Sequence, residues 1–110
     1  MRNQYLDTTT DINLSGKIAA DNFFVLRCDA TAKAFTATVP DSNGIRNIIC
    51  VIIKTDSGSN AVTISPAITG QQFNGYNTLT LSFKGDAYMI FPYKSGFTAF
   101  KSGADVTRFE

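Results

Sequence analysis

The most constraining feature of the sequence is an unbroken apolar run, Ile48-Ile49-Cys50-Val51-Ile52-Ile53. Five of its six residues are β-branched, which disfavours a helix and suits the pleated surface of a sheet. The run is too short to span a membrane. Because both faces of such a strand are apolar, it predicts a central strand that is covered on both sides. A polar turn at residues 56–60 follows, and residues 61–65 then alternate as a half-exposed strand does.

Strand and turn signals also recur along the rest of the chain. Clusters of Gly, Ser, Asn and Asp separate short apolar or alternating stretches roughly every 10 to 15 residues, a spacing typical of sandwiches and barrels. Asn74-Gly75 predicts a two-residue hairpin, because both central residues of a type I′ turn need positive φ. The pattern predicts an all-β fold, an antiparallel β-sandwich or jelly-roll-like barrel of about eight short strands.

The pattern also suggests how the chain is divided. Residues 1–20 are polar at first and follow no strand or helix period, so we expect an N-terminal arm that is either disordered or extended over a neighbouring subunit. Residues 21–103 are predicted to form the β-sandwich domain. Residues 104–110 are expected to be a short polar tail.

The composition gives no support to catalysis or to metal binding. The sequence has no histidine and no Cys-x-x-Cys pair, so neither a histidine-based triad nor a metal site is predicted. Nearly all carboxylates lie beside turn residues, where Asp usually caps its own backbone. The net charge of +1 comes without a basic stripe. We therefore expect no enzymatic activity and no cofactor, and neither a nucleic acid nor a membrane as a partner.

The two cysteines, Cys28 and Cys50, both lie on predicted strands. Free cysteine behaves as a small buried hydrophobe, which is the expected role of both. A Cys28–Cys50 disulfide is the alternative, although two cysteines in a chain of this length do not make a disulfide scaffold.

Aromatic residues are concentrated in the last third of the chain, where strand 86–93 is apolar on both faces from Tyr88 onward. Such a strand lies either between two packed layers of one subunit or at an interface between subunits, where aromatic residues and Met are enriched. A second strand of this kind, residues 48–53, favours an oligomer. The candidate interface residues are Ile49, Val51, Ile53, Met89, Phe91, Tyr93, Phe97 and Phe100.

An ordered set of short motifs gives the sequence a family likeness. The motifs are Asp29-Ala30-Thr31, Val39-Pro40-Asp41, Asn43-Gly44, Lys54-Thr55-Asp56-Ser57 after the apolar run, Asn60-Ala61-Val62-Thr63-Ile64, Gly70, Asn74-Gly75, Leu79-Thr80-Leu81 and Gly85-Asp86. In this order they resemble the small β-domain of tailed-bacteriophage fibre, head-fibre and capsid decoration proteins. The likeness covers roughly residues 22–100. The chain departs from that pattern in two places: Phe97 or Phe100 replaces a frequent Trp, and Val39 replaces a Leu before the proline.

The resemblance implies a non-enzymatic virion structural protein that assembles as a homotrimer. The short chain without a shaft is more similar to a decoration protein on the outside of a capsid, made in the bacterial host cytoplasm. Its partner would be the major capsid protein or another virion protein, contacted by the arm through Tyr5, Leu6, Ile12 and Leu14. The alternative that the resemblance leaves open is a tail-fibre or receptor-binding module, with Tyr76 and Asn77 contacting a host surface glycan.

Overall fold

The apolar run folds as a strand in the computed structural model of the chain, which describes residues 3–19 and 23–102. The described residues form nine strands and one 3₁₀ turn, with no α-helix. The strands are β1 Asn3–Thr8, β2 Ile12–Asn13, β3 Phe23–Cys28, β4 Phe35–Val39, β5 Ile49–Lys54, β6 Val62–Pro66, β7 Leu79–Leu81, β8 Ala87–Tyr93 and β9 Gly96–Ser102, and the 3₁₀ turn is Ser42–Ile45. The all-β prediction is confirmed.

The strands form two mixed sheets, one of five strands in the order β1-β3-β5-β8-β9 and one of four in the order β2-β4-β6-β7. From β1 to β6 the chain changes sheet after every strand, and all neighbours in this part are parallel. Strands β7, β8 and β9 then add antiparallel neighbours. The prediction of antiparallel pairing was therefore wrong for the first six strands. The parallel pairing follows from this path. The chain forms a strand in the other sheet before it returns to the first sheet, so each returning strand runs in the same direction as the strand it joins.

The predicted arm is part of this fold. Strand β1 pairs along its whole length with β3, and β2 pairs with β4. Leu14 is completely buried in the core. Residues 3–19 are thus part of the domain and not an arm outside it. They supply the first strand of each sheet, and most of their apolar side chains pack in or against the core. The predicted tail, residues 104–110, lies outside the described residues.

The inward faces of the two sheets share one hydrophobic core. Phe24, Leu26 and Ile52 from one sheet and Val62 and Ile64 from the other are all fully buried in a single cluster. Strand β5 is central in its sheet, as predicted, but only alternate residues are buried. The expectation that both of its faces are covered was therefore wrong within one chain. Its outward residues stay partly exposed.

The Asn74-Gly75 hairpin is confirmed. Asn74 has φ 53° and Gly75 has φ 88°, as a type I′ turn requires. The Phe73 N–H donates to the Tyr76 carbonyl at 2.8 Å, and the Tyr76 N–H donates back at 2.8 Å. Both cysteines are buried and free. They do not form a disulfide, because Cys28 lies opposite Lys54 and not opposite Cys50 in the ladder between β3 and β5.

Candidate functional site: the outer face of the five-stranded sheet

A row of apolar side chains crosses the whole outward face of the five-stranded sheet. The strand register places Tyr5 beside Val25, Val25 beside Val51, Val51 beside Met89 and Met89 beside Phe100. Tyr5, Met89 and Phe100 are 64%, 39% and 61% exposed, and the two valines between them are partly exposed. Each of the five strands thus contributes one large apolar residue to the same line.

Further apolar residues lie beside this row. Side chains alternate between the faces of a strand, so Phe23, Ile49, Ile53 and Phe91 point outward with it, and all four are partly exposed. The rings of Phe91 and Phe100 meet edge to face with centroids 5.7 Å apart. Together, Tyr5, Phe23, Val25, Ile49, Val51, Ile53, Met89, Phe91 and Phe100 are called the outer apolar face.

The outward face of the four-stranded sheet is chemically different. A row of threonines crosses three of its strands, with Thr36 beside Thr63 and Thr63 beside Thr80. Thr38 and Ser65 form a second polar pair next to it. The outward face of the five-stranded sheet also carries the exposed Arg27–Asp7 ion pair beside Ile53, but its middle row is wholly apolar. The polar face is what a solvated sheet normally shows, and the outer apolar face is the exception.

Six of the eight predicted interface residues belong to the outer apolar face: Ile49, Val51, Ile53, Met89, Phe91 and Phe100. Tyr93 is also exposed, at 60%, with the Lys94 ammonium 5.3 Å from its ring centroid. Phe97 does not lie on this face. It is 5% exposed and stacks on Phe73 in the core with centroids 4.9 Å apart, so no partner can reach it.

The sequence reasoning missed Tyr5, Phe23 and Val25 as members of this face. Residues 23–26 of the predicted strand are all apolar, so both of its faces carry apolar side chains, and that was the available signal. Tyr5 was assigned to the arm instead. Of the other arm candidates, Leu6 and Ile12 pack against the core and Leu14 is buried inside it. These three side chains hold the fold together, which leaves them unavailable for docking on a shell.

The glycan candidates lie near a groove. A shallow groove of about 420 Å³ is lined by Tyr76, Tyr88, Lys101 and the threonines at 78 and 80. Tyr76 is 67% exposed, and the Lys101 ammonium lies 5.9 Å from the Tyr88 ring centroid. Asn77 is exposed beside the groove, and its Oδ1 accepts a hydrogen bond of 2.9 Å from the Gln72 amide.

One ion pair lies inside the protein. Lys54 is completely buried, and its Nζ donates to Asp56 Oδ2 at 2.8 Å, to the Asp56 carbonyl at 3.0 Å and to the Gly58 carbonyl at 3.1 Å. The Asp56 carboxylate also accepts from the Ala30 N–H at 2.8 Å and from the Gly58 N–H at 3.0 Å. These bonds use all three ammonium hydrogens, so Lys54 has the contacts of a structural residue and not those of a nucleophile.

The pKa of Asp56 reflects opposing effects. Burial alone raises it, but the hydrogen bonds from Lys54, Ala30 and Gly58, together with the charge of Lys54, hold the pKa below its ordinary value. The Asn60 amide donates to the Ala30 carbonyl at 2.9 Å, which joins the same two turns once more. Three of the sequence motifs, which begin at Asp29, Lys54 and Asn60, thus form a single clamp between neighbouring turns.

The remaining chemistry of the described residues is sparse. Burial, assisted by the Asp56 charge, raises the pKa of the Cys28 thiol to about 12, and burial raises that of Cys50 to about 12. No three His, Cys, Asp or Glu side chains within residues 3–19 and 23–102 are grouped as a metal ion would need. Over the same residues, no helix has the length and apolarity to cross a membrane. Comparison with protein-family models, curated proteins and solved structures gives no match.

Proposed function

We propose that this protein is a non-enzymatic structural protein of a tailed-bacteriophage virion, and that its β-sandwich assembles as a homotrimer through the outer apolar face. The observation that carries the proposal is the unbroken apolar row from Tyr5 to Phe100 on a surface that residues 3–19 and 23–102 leave open. The motif likeness to fibre, head-fibre and decoration domains supports the viral part of the proposal. Self-association is binding without chemistry, and needs no cofactor.

The composition of the face supports an interface more than its size does. Five strands spaced at about 4.8 Å, with six residues rising about 3.3 Å each, give a footprint of roughly 400 Å². The largest apolar patch of a typical monomer is roughly 300–600 Å² and is often functional. Burying apolar surface stabilises association by about 25 cal/mol for each Å² removed from water. Interfaces are enriched in aromatic residues and Met, and the outer apolar face includes Tyr5, Met89, Phe91 and Phe100.

A decoration protein on the outer surface of a capsid is the form of virion protein that we propose. Its partner there is the major capsid protein or another virion protein, and it is made in the host cytoplasm. Mass spectrometry of purified particles from a host that carries the gene tests this location. Peptides of this protein at a fixed ratio to the capsid protein support it, and their absence from the particles argues against it.

Light scattering during size-exclusion chromatography tests the assembly. We expect the wild-type protein to elute with the mass of three chains at micromolar concentration. Val51→Lys and Met89→Lys each place a charge in the centre of the face and should remove the three-chain species. The matched control is Thr63→Lys on the polar outward face of the other sheet, which should leave the trimer intact. Circular dichroism checks that each variant is folded. A wild-type protein that stays monomeric would overturn the proposed assembly.

The alternative function is recognition of a host surface glycan by a fibre or receptor-binding module. The groove beside Tyr76 favours it, because an exposed tyrosine with nearby hydroxyl and ammonium groups suits a sugar ring. A glycan array tests it, with Tyr76→Ala and Asn77→Ala as the variants. Loss of a glycan signal in a variant that remains trimeric would support recognition. No signal from the wild-type protein would leave the structural role as the better account.

A further inference from the structure

In the part of the chain that the structure describes, strand β1 is an open edge of the five-stranded sheet. It has six residues, Asn3 to Thr8, and a single neighbouring strand, β3, among the described residues. Its register with β3 is continuous, without a bulge. Its sequence has neither Pro nor Lys, the residues that proteins often use to blunt an edge. Strand β1 is therefore ready to pair with another strand.

The opposite edge of the same sheet is sealed. The side chain of Asn74 donates to the Ala99 carbonyl at 2.8 Å and accepts from the Ala99 N–H at 3.0 Å, as a neighbouring strand would. The Phe97 N–H donates to the Gln72 carbonyl at 2.9 Å, and the Asn74 N–H donates to the Phe97 carbonyl at 3.0 Å. A second strand therefore cannot pair with this stretch of β9, and a ring built from β1-to-β9 contacts is disfavoured.

The edges of the four-stranded sheet offer little alternative. Strand β2 has two residues and β7 has three, too short for a stable ladder with another chain. The long open edge and the sealed edge lie on the same sheet, so an added strand has one suitable position. A contact that uses the same surface in both copies is the commonest kind in homo-oligomers.

We propose that β1 pairs with β1 of a second copy, antiparallel and about a two-fold axis at Tyr5. In this register Tyr5 lies opposite its own copy, and Asn3 lies opposite Asp7, where an amide donor meets a carboxylate acceptor. The outer apolar face then continues across the axis as one line of ten residues from two chains. The contact uses the backbone groups at the open edge of β1, whereas the proposed trimer uses the side chains of the outer apolar face, and Tyr5 is the residue that the two contacts share.

Cysteine cross-linking tests the contact. Tyr5→Cys should form an intermolecular disulfide under mild oxidation and shift the protein from one chain to two on a non-reducing gel, because opposite residues of an antiparallel pair lie within disulfide distance. A mixture of Asn3→Cys and Asp7→Cys should also cross-link, and either protein alone should not. Thr63→Cys on the other sheet is the control for random collisions. The native cysteines are buried and do not interfere.

Each outcome decides the proposal. Cross-linking of Tyr5→Cys and of the mixed pair, well above Thr63→Cys, supports it. No excess over Thr63→Cys overturns it, and so does a Tyr5 cross-link without one between positions 3 and 7. Repeating the experiment with Val51→Lys separates the two interfaces, since loss of the trimer with retained cross-links shows that the edge contact is independent. Far-UV circular dichroism confirms that the variants are folded.

Discussion

Replacement of Lys54 by Met tests whether the buried ion pair holds the fold together. Met keeps an unbranched apolar side chain of similar length but removes the ammonium. The change deletes three hydrogen bonds of 2.8, 3.0 and 3.1 Å, to the Asp56 carboxylate and to the carbonyls of Asp56 and Gly58. Lys54 is completely buried, so water cannot replace the lost donors without opening the turn.

The expected loss is large. Removing one partner of a buried ion pair destabilises a protein by about 3–5 kcal/mol, since the other charge is left uncompensated. The Asp56 carboxylate keeps the N–H groups of Ala30 and Gly58, which places the expected loss toward the lower end of that range. Because domains are stable by only about 5–15 kcal/mol, Lys54→Met should remove a large part of the free energy of unfolding.

Urea denaturation followed by circular dichroism measures the loss. The matched control is Arg27→Met, which removes the surface pair between Arg27 and Asp7, whose 3.4 Å contact joins side chains that are 57% and 77% exposed. Such exposed pairs are worth about 0–1 kcal/mol. If Lys54→Met and Arg27→Met unfold at the same urea concentration, the clamp is not structural. Lys54→Met with Asp56→Leu should stay destabilised, because the Ala30 and Gly58 N–H groups then have no acceptor.

Three further predictions follow from the same contacts. The pKa of Asp56 is held below its usual 3.8, so the stabilising contribution of its carboxylate is complete above pH 3.8 and is lost as the pH falls through the folded pKa. Thermal melts at decreasing pH should show this loss of stability, and the pH dependence should be smaller in Asp56→Asn. With the pKa of both thiols raised to about 12, Cys28 and Cys50 should resist a maleimide in the native protein and react in denaturant, and equal rates would contradict their burial. Phe97→Ala should destabilise the fold by about 3–5 kcal/mol, whereas Phe100→Ala should weaken assembly and leave chain stability nearly unchanged, which denaturation and light scattering distinguish.

The strand positions were largely readable from the sequence, but the direction of pairing was not. Residues 35–39 and 61–65 alternate in polarity, and the run at 48–53 is β-branched, so β4, β5 and β6 were predicted close to where they lie. Parallel and antiparallel strands of one sheet face share the same period of two. The direction is decided by the crossing of the chain between the sheets, and the alternation of polar and apolar residues does not depend on that crossing.

Two other features were not predicted correctly from the sequence: strand β1, and the face of β9 on which Phe97 lies. The inward positions of β1 carry Gln4 and Thr8 beside Leu6, so the strand has no clear apolar alternation. Its pairing depends on β3, far along the chain. Phe97 and Phe100 are three residues apart, and an odd spacing places them on opposite faces of a strand. That arithmetic was available from the sequence and would have placed only one of them at the interface.

The alternation between sheets has a consequence for how the protein folds. None of the first five strands pairs with the strand that comes next in the chain, so each of their ladders must close a loop that includes a strand of the other sheet. Such distant pairings are slow to form, whereas the short link between β8 and β9 allows a local start. We expect folding to begin at the C-terminal hairpin and to proceed toward the N-terminus, with β1 joining last.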